Sequence, residues 1–84
     1  MNIKNAIEEG TNILKKNGIK SYSIDAEILM SKTIKQDRKY IILNLDVDLS
    51  LNSLKYFKKL IQERANRKPI AYLLNKKFFW NSEF

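Results

Sequence analysis

The sequence contains no cysteine and no histidine. Without cysteine there is no disulfide framework and no thiolate metal site. Without histidine the commonest general base, the commonest zinc ligand and the usual pH switch are all missing. Ser21, Ser23, Ser31, Ser50, Ser53 and Ser82 therefore have no imidazole to activate them as nucleophiles. Glycine is nearly as scarce. The only two, Gly10 and Gly18, lie in or just after a helical pattern and neither follows a strand, so no glycine-rich cofactor loop is present. No apolar run approaches the roughly 20 residues needed to span a bilayer. The first ten residues carry Glu8 and Glu9 and lack a signal-peptide core. These absences point to a cytoplasmic chain with no membrane partner and no catalytic, cofactor-binding or metal-binding residues of its own.

What the sequence does contain is helix signals. A chain of 84 residues is one small domain. Ile3, Ala6, Ile7, Gly10 and Leu14, with Ile13 alongside, make an apolar stripe at helical spacing from about Asn2 to Lys16. Asn17-Gly18 ends that helix, with Ile19 covering the exit. A second helix starts at Ser21 or Ser23, and Asp25 and Glu27 suit the positive end of its dipole. Its apolar residues, Ile24, Ala26, Ile28, Leu29, Met30 and Ile34, spread around much of the circumference and predict a central element. Asp37 caps a short third helix to about Leu43, chosen over a strand because of that cap. Asn44 to Leu49 is a loop. Ser50 caps a fourth helix to about Asn66, with Leu54, Phe57, Ile61 and Ala65 inward and Leu51 and Leu60 beside them. Pro69 closes it by forcing the preceding residue out of the helical region. Ile70 to Leu74 then reads as a helical turn or a strand, and Phe78-Phe79-Trp80 as an extended aromatic stretch. The predicted fold is mainly α, a small bundle of about four helices with a short extended, hairpin-like C-terminal segment.

The net charge of +7 poses a question of partner. Thirteen of the sixteen basic residues are lysines, scattered over every segment, and three arginines are few for a phosphate reader. The densest basic region, Lys55, Lys58, Lys59, Arg64, Arg67 and Lys68, alternates with inward positions at the helical period and reads as a solvated face. Lys76-Lys77-Phe78-Phe79-Trp80 mixes cations with rings as single-strand binders do, but the chain has too few strands to build such a platform. Asp46-Val47-Asp48-Leu49-Ser50 opens like a calcium loop, yet Leu51 and Phe57 stand where glycine and glutamate are needed. Nucleic acid and calcium are both set aside.

The last 21 residues, Arg64 to Phe84, resemble a segment of the HemK/PrmC glutamine methyltransferases. That family has an arginine, a Pro-x-x-Tyr, a glycine, Glu-Phe-(aromatic)-Gly and a closing phenylalanine. Arg64, Pro69, Tyr72, Phe79 and Phe84 occupy the matching positions, and Trp80 stands among the aromatics. Asp25-Ala26-Glu27-Ile28-Leu29 is similar to a second-helix segment of the same family. Family glycines correspond to Arg67, Asn75 and Asn81, and a family glutamate to Phe78. The resemblance implies a helical N-terminal domain over residues 1–68 and the start of an inter-domain hairpin over 69–84. It implies a catalytic Rossmann-like domain beyond this chain, binding S-adenosylmethionine and methylating the glutamine of the Gly-Gly-Gln motif in peptide chain release factors. The helical domain would recognise and orient the release factor. Arg64 and Tyr72 would be structural, as a helix-end arginine and a buried tyrosine, and some of the C-terminal rings would touch the catalytic domain. Two rivals share the bundle: a free-standing basic module for nucleic acid, and a protein-interaction domain of another methyltransferase.

Overall fold

Helix α1, Ile3–Lys16, is capped by Asn2, whose Oδ1 accepts from the Asn5 amide at 2.8 Å in the computed structural model. The structure describes residues 1–75. The expected extended segment, with Phe78, Phe79, Trp80 and Phe84, lies outside the described residues. The amides of Ile3 and Lys4, which no helical carbonyl can reach, donate instead to the Val47 and Leu45 carbonyls at 2.9 and 3.0 Å. The 45–49 loop is thereby laid antiparallel along the N-terminus, with a bridge between Asn2 and Asp48. At the other end Gly18 adopts φ +78°, and the Ile19 amide returns to the Leu14 carbonyl at 3.0 Å. Ile19 is buried over that exit.

Helix α2, Tyr22–Ile34, is the central element and touches all four others. It buries Ala26, Leu29, Met30 and Thr33 at helical spacing, and the Thr33 hydroxyl is satisfied by the Leu29 carbonyl at 2.8 Å. Ile24 falls off this stripe and is exposed, contrary to the sequence reading. The apolar spread around α2 is wider than the face its neighbours cover. Ser21 does not cap the backbone either: its hydroxyl donates to Asp25 Oδ2 at 2.7 Å.

Helix α3, Arg38–Leu43, begins where Asp37 accepts from the Tyr40 amide at 2.9 Å, and it packs on α2. Helix α4, Leu51–Ala65, is capped by Ser50 and buries Tyr56, Phe57, Leu60 and Ile61. Its inward face is therefore rotated from the predicted stripe: Leu54 and Ala65 sit at the margin. Leu51, the first helical residue, is exposed. Gly10 makes the crossing of α1 and α4 close. A Cβ there would lie 2.8 Å from Ile61 Cδ1 and 3.0 Å from Phe57 Cζ. Each large side chain in this core contributes about 1.5–3 kcal/mol through burial.

The segment after Pro69 is a fifth helix, α5, Ile70–Asn75. The Pro69 carbonyl accepts from the Leu73 amide at 3.1 Å, and Leu73 is fully buried against α2 and α4. Six residues have little helix stability of their own. Burial of Leu73 decides between the turn and the strand that the sequence left open.

Candidate functional site

The C-terminal corner is assembled around Arg64. Its Nε donates to Asp25 Oδ2 at 2.8 Å and its Nη1 to the Lys68 carbonyl at 2.9 Å. Both side chains are shielded, Asp25 more than Arg64, at 6% and 20% exposure. Asp25 also takes the Ser21 hydroxyl, so its Oδ2 has two donors. One guanidinium thus ties the end of α4 to the start of α2 and fixes the carbonyl before Pro69. Asp25 does more than the dipole role read from sequence, and no local pattern could have named its partner 39 residues away.

Arg67 shares this corner. It stands in the left-handed region, at φ +73°, the position where the resemblance puts a glycine. Its Nη2 donates to the Asn17 carbonyl at 2.9 Å, binding the α4 exit to the α1 exit. A left-handed non-glycine residue is costly, and this long-range bond offsets part of the cost.

Pro69 turns the chain into α5. Tyr72 on α5 is 46% exposed, not buried as expected, because its neighbour Leu73 takes the inward position and adjacent helical residues face about 100° apart. The Lys68 ammonium lies 5.5 Å from the Tyr72 ring centre. Lys32 of α2 donates to the Leu74 carbonyl at 3.0 Å, a contact that nothing in the sequence announced. Arg64, Pro69 and Tyr72 are thus brought together; Phe79, Trp80 and Phe84 lie outside the described residues.

A second surface lies at the α3 end of the molecule. Ile42 and Leu43 close α3, Val47 sits in the following loop and Leu51 opens α4; all four are exposed, at 65%, 71%, 43% and 67%. A six-residue helix cannot bury four successive apolar residues, and only Ile41 of this run is in the core. The ambiguous period at Tyr40 to Leu43 was the signal in the sequence.

Among the described residues no group of acidic side chains is arranged to hold a metal ion. No helix among them is long and apolar enough to cross a membrane. Burial raises the pKa of the Tyr56 phenol above 10.0, and this residue lies in the core.

The comparisons with known proteins place the chain in a family. The family model of the PrmC N-terminal domain matches residues 5–74. Over its whole length the chain is 37% identical to a release factor glutamine methyltransferase of Clostridium botulinum and 39% identical to one of Buchnera aphidicola, spanning 30% of each. It is 34% identical over 82 residues to a bifunctional methyltransferase of Rickettsia felis, 16% of whose length it covers. No solved structure matches. A family model that runs from α1 through α5 takes in the Asp25–Arg64 pair, the Arg67 turn and the buried Leu73, and the chain belongs to the PrmC N-terminal domain family.

Proposed function

We propose that this chain is the substrate-recognition domain of a cytoplasmic protein-(glutamine-N5) methyltransferase that acts on the Gly-Gly-Gln motif of release factors in translation termination. The chain spans 30% of the release factor methyltransferases it resembles, and the catalytic domain belongs to the rest of such a protein. The two glycines lie outside any glycine-rich cofactor loop. Gly10 faces Ile61 and Phe57, Gly18 ends a helix, and neither opens a strand–loop–helix. On this reading the cofactor is held by the catalytic domain, and residues 69–84 are the start of the connection to it.

The observation that carries the recognition role is the exposed apolar end formed by Ile42, Leu43, Val47 and Leu51. Exposed large apolar side chains are a candidate interaction surface. Holding a protein substrate by a surface remote from the reacting amide lowers the entropic cost of orientation. The test is the Ile42→Ser/Leu43→Ser double variant of the full-length protein, with its helicity checked by circular dichroism. KM for the release factor should rise about tenfold, the equivalent of 1.4 kcal/mol, with kcat nearly unchanged. An unchanged KM in a folded variant would remove this end of the domain from substrate recognition.

A further inference from the structure

Gly18, Ile19, Lys20 and Ser21, between α1 and α2, face Arg64 and Arg67 at the end of α4 across an open cavity of about 390 Å³. Three of the six lining residues are cationic and none is acidic. Lys20 is exposed. The two guanidiniums are anchored through part of their donors. Arg64 uses Nε on Asp25 and Nη1 on the Lys68 carbonyl, and Arg67 uses Nη2 on the Asn17 carbonyl. A guanidinium carries five N–H donors, so Nη2 of Arg64 and Nε and Nη1 of Arg67 remain for a further acceptor. Groups already held in place cost less to order when a ligand binds. The loop is shaped around Arg67: a Cβ on Gly18 would lie 3.1 Å from its Nη2. Arg67 also keeps a left-handed backbone, φ +73°, that glycine would adopt at lower cost. Such retained strain is a pointer to function.

We infer that this cavity binds a dianionic phosphate group, free or as the monoester of a small molecule. Asp25, bonded to Arg64, offsets one of the three cationic charges and leaves an excess of two. A phosphomonoester carries about −1.5 to −2 charges at neutral pH and three acceptor oxygens, which match that excess and the spare N–H groups. A carboxylate brings one charge and two oxygens. The guanidinium fork pairs with phosphate oxygens two at a time. The cavity lies toward the small end of the roughly 300–1,000 Å³ typical of small-molecule sites, which fits a compact ligand rather than a polymer backbone. It also lies at the exit of α1, whereas the Ile42–Leu51 end sits at the start of that helix, where the Val47 carbonyl takes the Ile3 amide. The 14 residues of α1, about 20 Å of helix, separate the two, so the inference does not depend on the proposed recognition of a release factor.

The experiment is a titration of the full-length protein at constant ionic strength, followed at the amide resonances of Gly18 and Lys20. The probes are methyl phosphate, inorganic phosphate, acetate and a short single-stranded DNA. Both amides should shift and saturate, with phosphate bound about tenfold more tightly than acetate. The tighter of the two phosphates identifies the source as the ester or the free ion. Lys20→Gln should weaken methyl phosphate about fivefold, as the loss of one solvent-facing charge does. Arg67→Gly, which suits the left-handed turn, should weaken it about tenfold. Should Arg67→Gly unfold, Lys20→Gln still decides. No saturable shift at Gly18 and Lys20 would overturn the inference. So would acetate bound as tightly as phosphate, which would reduce the cavity to unselective charge, and so would an affinity unchanged in Lys20→Gln and Arg67→Gly. A shift produced by the DNA and by neither phosphate would make this a nucleic-acid surface and overturn it too.

Discussion

Arg64 on α4 donates from Nε to Oδ2 of Asp25 on α2 at 2.8 Å, and so joins the two stretches of sequence in which the family resemblance was read. The pair is shielded but not sealed, with Arg64 20% exposed. Its value lies in geometry: the same guanidinium holds the Lys68 carbonyl and therefore the turn that leads through Pro69 to α5. The turn from α4 into α5 is set by a charge pair in the body of the domain.

Replacing Asp25 by alanine should destabilise the domain by about 2–3 kcal/mol, somewhat below the cost of breaking a fully buried pair. The Arg64 guanidinium would be left shielded with no counter-charge. Arg64→Lys should not rescue, because an ammonium cannot bridge the carboxylate and the Lys68 carbonyl in the same fixed fork. Urea unfolding of Asp25→Ala, Arg64→Ala and the double variant measures this. A double variant no worse than either single one is the expected outcome.

Arg67 tests the left-handed turn. Arg67→Ala keeps the strained φ and loses the bond to the Asn17 carbonyl, so it should cost about 1 kcal/mol. Arg67→Gly loses the same bond but relieves about 1 kcal/mol of backbone cost and should be nearly neutral. Glycine more stable than alanine at this position, measured by thermal unfolding, is the signature. The reverse order would mean that the turn is unstrained.

At the α1–α4 crossing, Gly10→Ala places a Cβ 2.8 Å from Ile61 Cδ1. Overpacking costs about 1–3 kcal/mol, and alanine's better helix propensity returns about 1 kcal/mol. A net loss is expected. Ile61→Val removes the nearest atom. Alone it should cost about 0.5–1.5 kcal/mol as a cavity, but in the Gly10→Ala background it should cost little or nothing. Denaturant midpoints of the four proteins give the coupling directly.

Tyr56 should make stability fall at high pH. Burial raises its phenol above 10.0, so the folded state keeps a proton that the unfolded chain has already released. In the pH window from about 10 up to the raised value, the unfolded state binds fewer protons and unfolding becomes more favourable as pH rises. Below that window both states are protonated and Tyr56 contributes no slope. Tyr56→Phe should flatten this part of the profile. A tyrosinate absorbance titration of the wild-type protein should show one phenol titrating late.

Much of the architecture was legible in local signals. Asn17-Gly18, Asp37, Ser50 and Pro69 are residues whose own backbone preferences or short side chains end or begin helices, and α1, α3 and α4 start or stop where those residues predict. The inward stripe of α1 was equally plain, because Ile3, Ala6, Gly10 and Leu14 obey one period and only one face is apolar. Such signals act over three or four residues and need no knowledge of the rest of the chain. The absence of histidine and cysteine likewise needed only the residue list.

What local signals could not settle depended on neighbours distant in sequence. The helical state of Ile70–Asn75 follows from the pocket that α2 and α4 make for Leu73. Exposure of Ile24, Leu51 and Tyr72 follows from where packing partners stop, which periodicity does not report. The Asp25–Arg64 pair, the Arg67 bond to Asn17 and the Lys32 bond to Leu74 join residues 39, 50 and 42 positions apart. Sequence determined helices α1 to α4 and the family. Tertiary structure decided which apolar side chains remain outside and how the chain turns from α4 into α5, because burial and long-range charge pairing exist only once separate helices have met.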